Sequence, residues 1–260
     1  MIRVGDRVLV LTDDGSRYLI TLREGSIFGT HLGNILHEEI IGKEYGDTIK
    51  IGRSKAHILK PGIVDYVFNL NRRTQIVYPK DMGFIILMLD IKEGDLVIEC
   101  GSGSGSMTGA FARYVGSKGK VVSYERREKF LERARENIDQ LGIGDRVEFK
   151  LKDIGDGIDE KGADAFFLDV PDPVPYLSEV LSSLKGGGRL CVLCPTVNQV
   201  QSVLESLNEK EVVDIEVWET FIRKMKTNPK RFRPEDRMVG HTAYLIFGVK
   251  VSRGGEKYEE

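Results

Sequence analysis

The chain has 260 residues, 41% hydrophobic and 30% charged, with a formal net charge of −2. That length fits one large domain, or a domain of roughly 150–200 residues with a smaller companion. The near-zero charge excludes attraction of the whole protein to nucleic acid, so such a partner would need a local basic patch. The longest apolar run, Phe84–Leu89, is far short of the roughly 18–20 residues a membrane helix needs.

Residues 1–60 read as a small β-rich domain. "DRVLVLT", "RYLITL" and "DTIKI" are strand-like runs separated by "DDGS", "REGS" and "YGD" turns. The first fifteen residues alternate like a strand and lack a signal-peptide core, so a cytoplasmic protein is expected. Pro61 marks the end of this unit. Residues 61–93 read as a helical connector: "GIVDYVFNL", then "RRTQIVYPKD", then an apolar helix over Met82–Leu89.

From 94 to 252 the pattern becomes strand–helix alternation. "DLVIEC" is a strand and "SMTGAFARYV" a helix with Met107, Ala110, Phe111 and Tyr114 on one face. "KVVSYE" is a strand, and "REKFLERARENIDQLG" a helix with Phe130, Leu131, Ala134, Ile138 and Leu141 at helical spacing. "RVEFKLKD" and "DAFFLDV" are strands, and "PYLSEVLSSLK" is a helix for which Gly186–Gly188 supply the stop. "RLCVLC" is a strand, "TVNQVQSVLESLNE" a helix, and "VVDIEVWETF" and "TAYLIFGVKV" are closing strands with no helix between them. Repeated βα units predict a mostly parallel sheet with helices on both faces, and the last two strands predict an antiparallel edge. Residues 253–260 form a polar tail.

Cys191 and Cys194 are spaced CxxC, but inside a strand such a pair points to opposite faces, and no second pair stands nearby. No metal site is expected. The four histidines show no ligand spacing; His31 and His37 are expected at the surface, and His241 is a minor site candidate.

"ECGSGSGSMTG" places Gly101, Gly103 and Gly105, with Ser104, Ser106 and Met107, between the first core strand and its helix. Glycine there lets a ligand approach backbone, and the loop feeds a helix N-terminus with free N–H groups. Glu125 ends the second strand, 24 residues after Gly101, where a carboxylate can accept from both hydroxyls of a ribose. Asp153 ends the third and can receive an adenine amino group. Glu99 is a further acid, suited to a sulfonium or an amino group. Acids at successive strand ends suit an uncharged adenosine joined to a sulfonium amino acid. A pyrophosphate suits less well, because nothing basic is expected along this edge. The fourth strand ends in "LDVPDPVPY", with Asp169 at the carboxyl edge followed by a stiff, proline-rich loop.

On these motifs the chain resembles the class I, S-adenosylmethionine-dependent methyltransferases, which implies a Rossmann-like α/β sheet of seven strands with the last antiparallel. "QIVYPKD", "GSGSGSMT", "VVSYERRE", "LKDI", "LDVPDP" and "HTAYLIF" narrow the resemblance to the tRNA adenine-N1-methyltransferases of the T-loop, and most nearly to their archaeal branch. The resemblance implies methyl transfer to N1 of an adenine at position 58, or 57 and 58, with Asp169 as the catalytic carboxylate and Tyr78 as an active-site aromatic. It places Gln75 and Ile76 over the methionine end of the donor. It also assigns Arg126, Phe130 and Ile154 to the donor site alongside the glycine loop, Glu99, Glu125 and Asp153. It further implies a homotetramer. Many members carry a tryptophan after the Asp-x-Pro-x-Pro motif; here Val174 stands there, and Tyr176 is the candidate aromatic wall. "RKMKTNPKRFRPEDR" (223–237) carries seven Lys/Arg against two acids, so Lys230, Arg231 and Arg233 are candidate RNA contacts. "GRSKAHILK" (52–60), Arg72 and Arg73 could add to them. Two other readings remain: a methyltransferase of the same fold acting on a corrinoid-type small molecule or a protein carboxylate, and a non-catalytic tRNA-binding subunit.

Overall fold

The computed structural model describes residues 1–70 and 75–252. The chain divides into two units, Met1–Leu70 and Asn71–Glu260, so the segment read as a 61–93 connector is shared between them. Arg72, Arg73 and the tail 253–260 lie outside the described residues.

In the first unit, β1 (Arg7–Thr12), β2 (Arg17–Thr21), β5 (Thr48–Ile51) and β6 (Ser54–Leu59) form an antiparallel sheet in the order β2-β1-β6-β5. A separate hairpin joins β3 (Ile27–Thr30) to β4 (Gly33–Leu36), and α1 covers Ile63–Asn69. Alternation sends Val8, Val10, Ile49, Ile51, Ala56 and Ile58 into one apolar core with Ile20 and Ile35. The sequence showed only three of these six strands, because β3 and β4 are four residues long and contain glycine, and β6 is broken by Lys55 and His57. His37, expected at the surface, is buried, and its Nδ1 accepts the Arg23 N–H at 2.9 Å.

The second unit holds α2 (Pro79–Met88), β7 (Leu96–Cys100), α3 (Ser106–Val115), β8 (Lys120–Glu125), α4 (Glu128–Leu141), β9 (Val147–Leu151), β10 (Ala163–Leu168), α5 (Leu177–Ser183), β11 (Leu184–Cys194), α6 (Val197–Leu207), β12 (Val212–Trp218) and β13 (Tyr244–Lys250). Its seven strands run β12-β13-β11-β10-β7-β8-β9. β13 is antiparallel to both β11 and β12 and lies between them, so β12 and not the last strand forms that edge. This is the Rossmann-like methyltransferase fold.

Several local differences have physical causes. α2 begins three residues before the apolar run, because Pro79 occupies the first helical position, where its missing N–H costs nothing. α5 stops at Ser183 and β11 starts at once, so Gly186–Gly188 lie inside a strand. A Cβ on Gly188 would stand 2.9 Å from the Lys185 carbonyl and 3.0 Å from that of Ala163, a close backbone approach only glycine allows. α3 is buried almost all round, whereas Tyr114 is half exposed. α4 keeps its predicted face, with Leu131, Ala134 and Ile138 buried.

Candidate active site

The site grows out of sheet register. Cys100 of β7 pairs with Leu168 of β10 on one side and Tyr124 of β8 on the other. The ladder continues one step beyond the strands: Gly101 N–H donates to the Tyr124 carbonyl and Asp169 N–H to the Cys100 carbonyl, both at 2.9 Å. Lys152 N–H likewise donates to the Glu125 carbonyl at 3.1 Å. Gly101, Glu125, Asp153 and Asp169 are therefore carried to one carboxyl edge. Strand order reverses between β7 and β10, and such a switch point opens a crevice.

Two adjoining cavities occupy that crevice. One is a cleft lined by Glu125, Arg126, Asp153, Ile154, Asp169 and Tyr176 among others. The other is lined by Gln75, Gly103, Pro195, Thr196 and Gln199. They share Gly101, Glu125, Arg127 and Asp169, with Val170 and Pro171. Gly101 has φ +98°, and a Cβ there would meet the Asp169 carbonyl at 2.0 Å, so the two chains touch backbone to backbone. Gly105, at φ +77°, begins α3 against the backbone of Ala134.

The acids differ in environment. Glu99 is fully buried; its Oε2 accepts from Ser123 Oγ at 2.7 Å and from Thr108 Oγ1, and burial pushes its pKa up to about 7. Glu125 is buried and accepts from Arg127 through its N–H at 3.0 Å and its Nε at 3.3 Å, while Gly103 N–H approaches at 3.4 Å. Asp153 caps a one-turn 3-10 helix, Ile154–Asp156, accepting from Gly155 N–H at 2.9 Å. That bond, with Arg126 at 3.4 Å and the Tyr176 hydroxyl at 3.5 Å, holds its pKa below the usual carboxylate value. The Asp169 carboxylate accepts no hydrogen bond from the described residues, and burial, then Glu125, pushes its pKa up to about 6. An unpaired carboxylate with a raised pKa in a cleft marks Asp169 as a candidate functional residue.

Of the residues expected at the donor site, Gln75, Gly101, Gly103, Glu125, Arg126, Asp153, Ile154 and Asp169 line these cavities. Ile76, Ser104, Ser106 and Met107 are buried behind the lining. The Ser104 hydroxyl is sealed from solvent with no hydrogen-bond partner among the described residues. Tyr78 is the N-cap of α2 and Phe130 lies under the Arg127 guanidinium at 3.9 Å; neither is a lining residue. The expectation that nothing basic lines this edge is wrong: Arg126, Arg127 and Lys152 all do, Arg126 and Arg127 directly after Glu125 in "YERRE" and Lys152 directly before Asp153 in "KLKD". Tyr176 stands beside Asp153, while Val174 packs into the core below the sheet edge. Thr196 and Gln199 were missed; they form a capping box on α6, and Gln199 Nε2 donates to the Pro171 carbonyl at 2.8 Å, steadying the loop after Asp169.

The basic segment forms an excursion between β12 and β13, closed on itself by a Met225–Pro234 bridge and the Lys226 N–H to Arg233 carbonyl bond at 2.8 Å. Lys230 and Arg231 are exposed with no acidic partner among the described residues, whereas Arg233 pairs with Asp236, which also takes Lys226.

The fold and the acid-lined switch point define a class I methyltransferase. Residues 55–236 match the family model described as the tRNA methyltransferase complex GCD14 subunit, and residues 1–49 match that of the TrmI-like N-terminal region. The chain belongs to this GCD14/TrmI family. A TrmI of Methanocaldococcus jannaschii named as a tRNA (adenine(57)-N(1)/adenine(58)-N(1))-methyltransferase is 32% identical, over 91% of this chain and 92% of its own. The crystal structure of tRNA (m1A58) methyltransferase TrmI from Aquifex aeolicus superposes with a TM-score of 0.85 at 34% identity, covering 96% of this chain and 99% of that one. That of a SAM-dependent O-methyltransferase from Thermotoga maritima superposes with a TM-score of 0.94 at 48% identity, covering 98% and 96%. These relatives come from archaea and bacteria alike and single out no archaeal branch.

Proposed function

We propose that this protein transfers a methyl group from S-adenosylmethionine to N1 of an adenine in the T-loop of tRNA, at position 58, with its neighbour 57 as the second candidate. One observation carries the reading: a half-buried carboxylate that accepts no hydrogen bond from the described residues, Asp169, stands where two cavities meet. The cleft on one side holds the acids an adenosine needs, and the cavity on the other opens beside Gln75 and Gln199.

The residues present fit the donor. Glu125 offers a carboxylate to ribose hydroxyls, Asp153 one to an adenine amino group, and Gly101 a bare backbone. When bound, the donor supplies an electrophilic methyl on sulfur. The chain's own task is alignment, since in-line displacement at carbon needs chiefly a positioned nucleophile. Asp169 accepts from the 6-amino group of the target adenine, which orients N1 and stabilises the positive charge that grows on the ring. Tyr78 packs against that base, which must leave its stack to reach the cavity. Lys230 and Arg231 hold phosphates. The tRNA substrate puts this activity in the cytoplasm. We further propose a homotetramer; Trp218, Phe221 and Ile222, 44%, 60% and 61% exposed, are apolar surface that an interface would bury.

The 48% identity to a protein named as an O-methyltransferase favours one second reading, transfer to a hydroxyl. Labelled donor and unmodified tRNA transcript, followed by nucleoside mapping, separate the two. The expected product is 1-methyladenosine; a methylated hydroxyl would install the second reading. Asp169→Ala should lower transfer at least about 100-fold while donor affinity stays within a few-fold.

A further inference from the structure

The "QIVYPKD" segment contains two residues that the donor and base sites do not use, Lys80 and Asp81. Both are charged and both are buried, with side chains 8% and 2% exposed. Neighbours in a helix do not normally face one another, yet Lys80 Nζ lies 2.9 Å from Asp81 Oδ1. What turns them together is a pair of threonines far along the chain. Thr220 Oγ1 donates to Asp81 Oδ1 at 2.6 Å and Thr242 Oγ1 donates to Asp81 Oδ2 at 2.8 Å. Lys80 Nζ in turn donates to Thr242 Oγ1 at 2.6 Å and to the Thr220 carbonyl at 3.0 Å. Every charge in the knot is satisfied.

Thr220 and Thr242 are the two ends of the basic excursion. A second rung crosses the same neck through the residues that precede the two threonines: His241 Nδ1 and Glu219 Oε1 are 2.6 Å apart, and His241 Nε2 meets the Pro195 carbonyl at 2.9 Å. Pro195 lines the cavity that contains Asp169. On the α2 side, the knot sits directly after Tyr78, whose carbonyl accepts from the Asp81 and Met82 N–H groups at 2.9 Å. The neck is thus tied to the start of α2 and to the cavity wall together.

A buried ion pair is weak evidence for stability, since apolar residues of similar volume often serve as well; its best-attested use is to fix register. We propose that Lys80 and Asp81 are positioning residues, which with Thr220 and Thr242 hold the basic excursion in register with the catalytic cavity. RNA gripped by the one then presents its adenine to the other. The inference rests on the proposed tRNA reading.

The test is the double variant Thr220→Val, Thr242→Val, which removes the hydroxyl links from the excursion to the knot and leaves in place the Lys80–Asp81 pair and the Lys80 bond to the residue-220 carbonyl. Affinity for S-adenosylhomocysteine, measured by calorimetry, should stay within twofold and tRNA affinity within about threefold, while kcat on tRNA falls at least tenfold. The matched variant Thr220→Ser, Thr242→Ser keeps the hydroxyls and should restore kcat. Should the valine pair fail to fold, Thr242→Val alone carries the same comparison. Unchanged kcat, a loss confined to KM, or a loss shared by the serine pair overturns the proposal. Failure of wild-type protein to methylate tRNA would instead sink the reading beneath it, and the same assay shows which has happened.

Discussion

Glu99 and Asp169 are both acids at or near the end of a core strand, and the structure separates them by their hydrogen bonds. Glu99 is sealed under Ser123 and Thr108, Asp169 is left bare at the cavity junction. The difference has a consequence in stability. Glu99 titrates near the ordinary glutamate value of 4.5 when unfolded, and burial raises it to about 7 when folded. The folded state then binds more protons between those values, so the contribution of Glu99 is full below about pH 4.5 and is lost as pH rises through 7. Glu99→Gln removes this term and can still accept both hydroxyl bonds. Urea unfolding at pH 5, 6 and 7.5 should show wild type losing ground to the variant by up to about 3 kcal/mol, at 1.36 kcal/mol per pKa unit. A pH-independent difference would mean that Glu99 is not held protonated. The sequence exposed the residue types here but not their partners: Thr108 and Ser123 are 9 and 24 residues away, on elements that meet only after packing.

Among the elements, the glycine loop between β7 and α3 is the most constrained. Its need for glycine was readable from "GSGSGS" beside an apolar strand; the surface that imposes it was not. Gly101 is pressed against the Asp169 carbonyl, 68 residues away, because β7 and β10 are parallel neighbours. Gly101→Ala should destabilise the protein by about 3 kcal/mol or more, combining left-handed strain with a backbone clash, and abolish binding of S-adenosylhomocysteine. Gly162→Ala is the control: φ is +77° but nothing stands within 4 Å of the added carbon, so only about 1–2 kcal/mol is expected. Thermal melts of the two variants check the difference; equal losses would show that the contact with Asp169 is immaterial. β11 illustrates the opposite case. Three glycines after a helical pattern look like a stop, yet the last of them, Gly188, serves the close approach of β11 to the Ala163 carbonyl of β10, which no local signal announces.

At the scale of the molecule, a near-neutral chain carries seven Lys/Arg in one excursion pinned at its neck, the proposed contact with RNA. Pairing decides which cations remain available. Lys230 and Arg231 have no acid beside them, while Arg233 is spent on Asp236. Each phosphate contact contributes about 0.7–0.9 to the slope of log affinity against log salt. Lys230→Ala with Arg231→Ala should therefore flatten the slope by about 1.5 in filter-binding titrations with tRNA, and Arg233→Ala should change it little. An unchanged slope in the double variant would remove this excursion from the interface.

The sequence by itself determined the order of strands and helices in the second unit, the glycine loop, and the acids Glu125, Asp153 and Asp169, because these depend on local periodicity and on the ends of single strands. It also carried the family, through short motifs at fixed spacing. Tertiary structure alone decided that β13 lies inside the sheet, that Arg126, Arg127 and Lys152 share the cleft with the acids, and that Lys80 and Asp81 close the neck of the basic excursion. Each of these joins residues distant in sequence through hydrogen bonds that exist only once the sheet has formed, and such pairings leave no periodic trace in the chain.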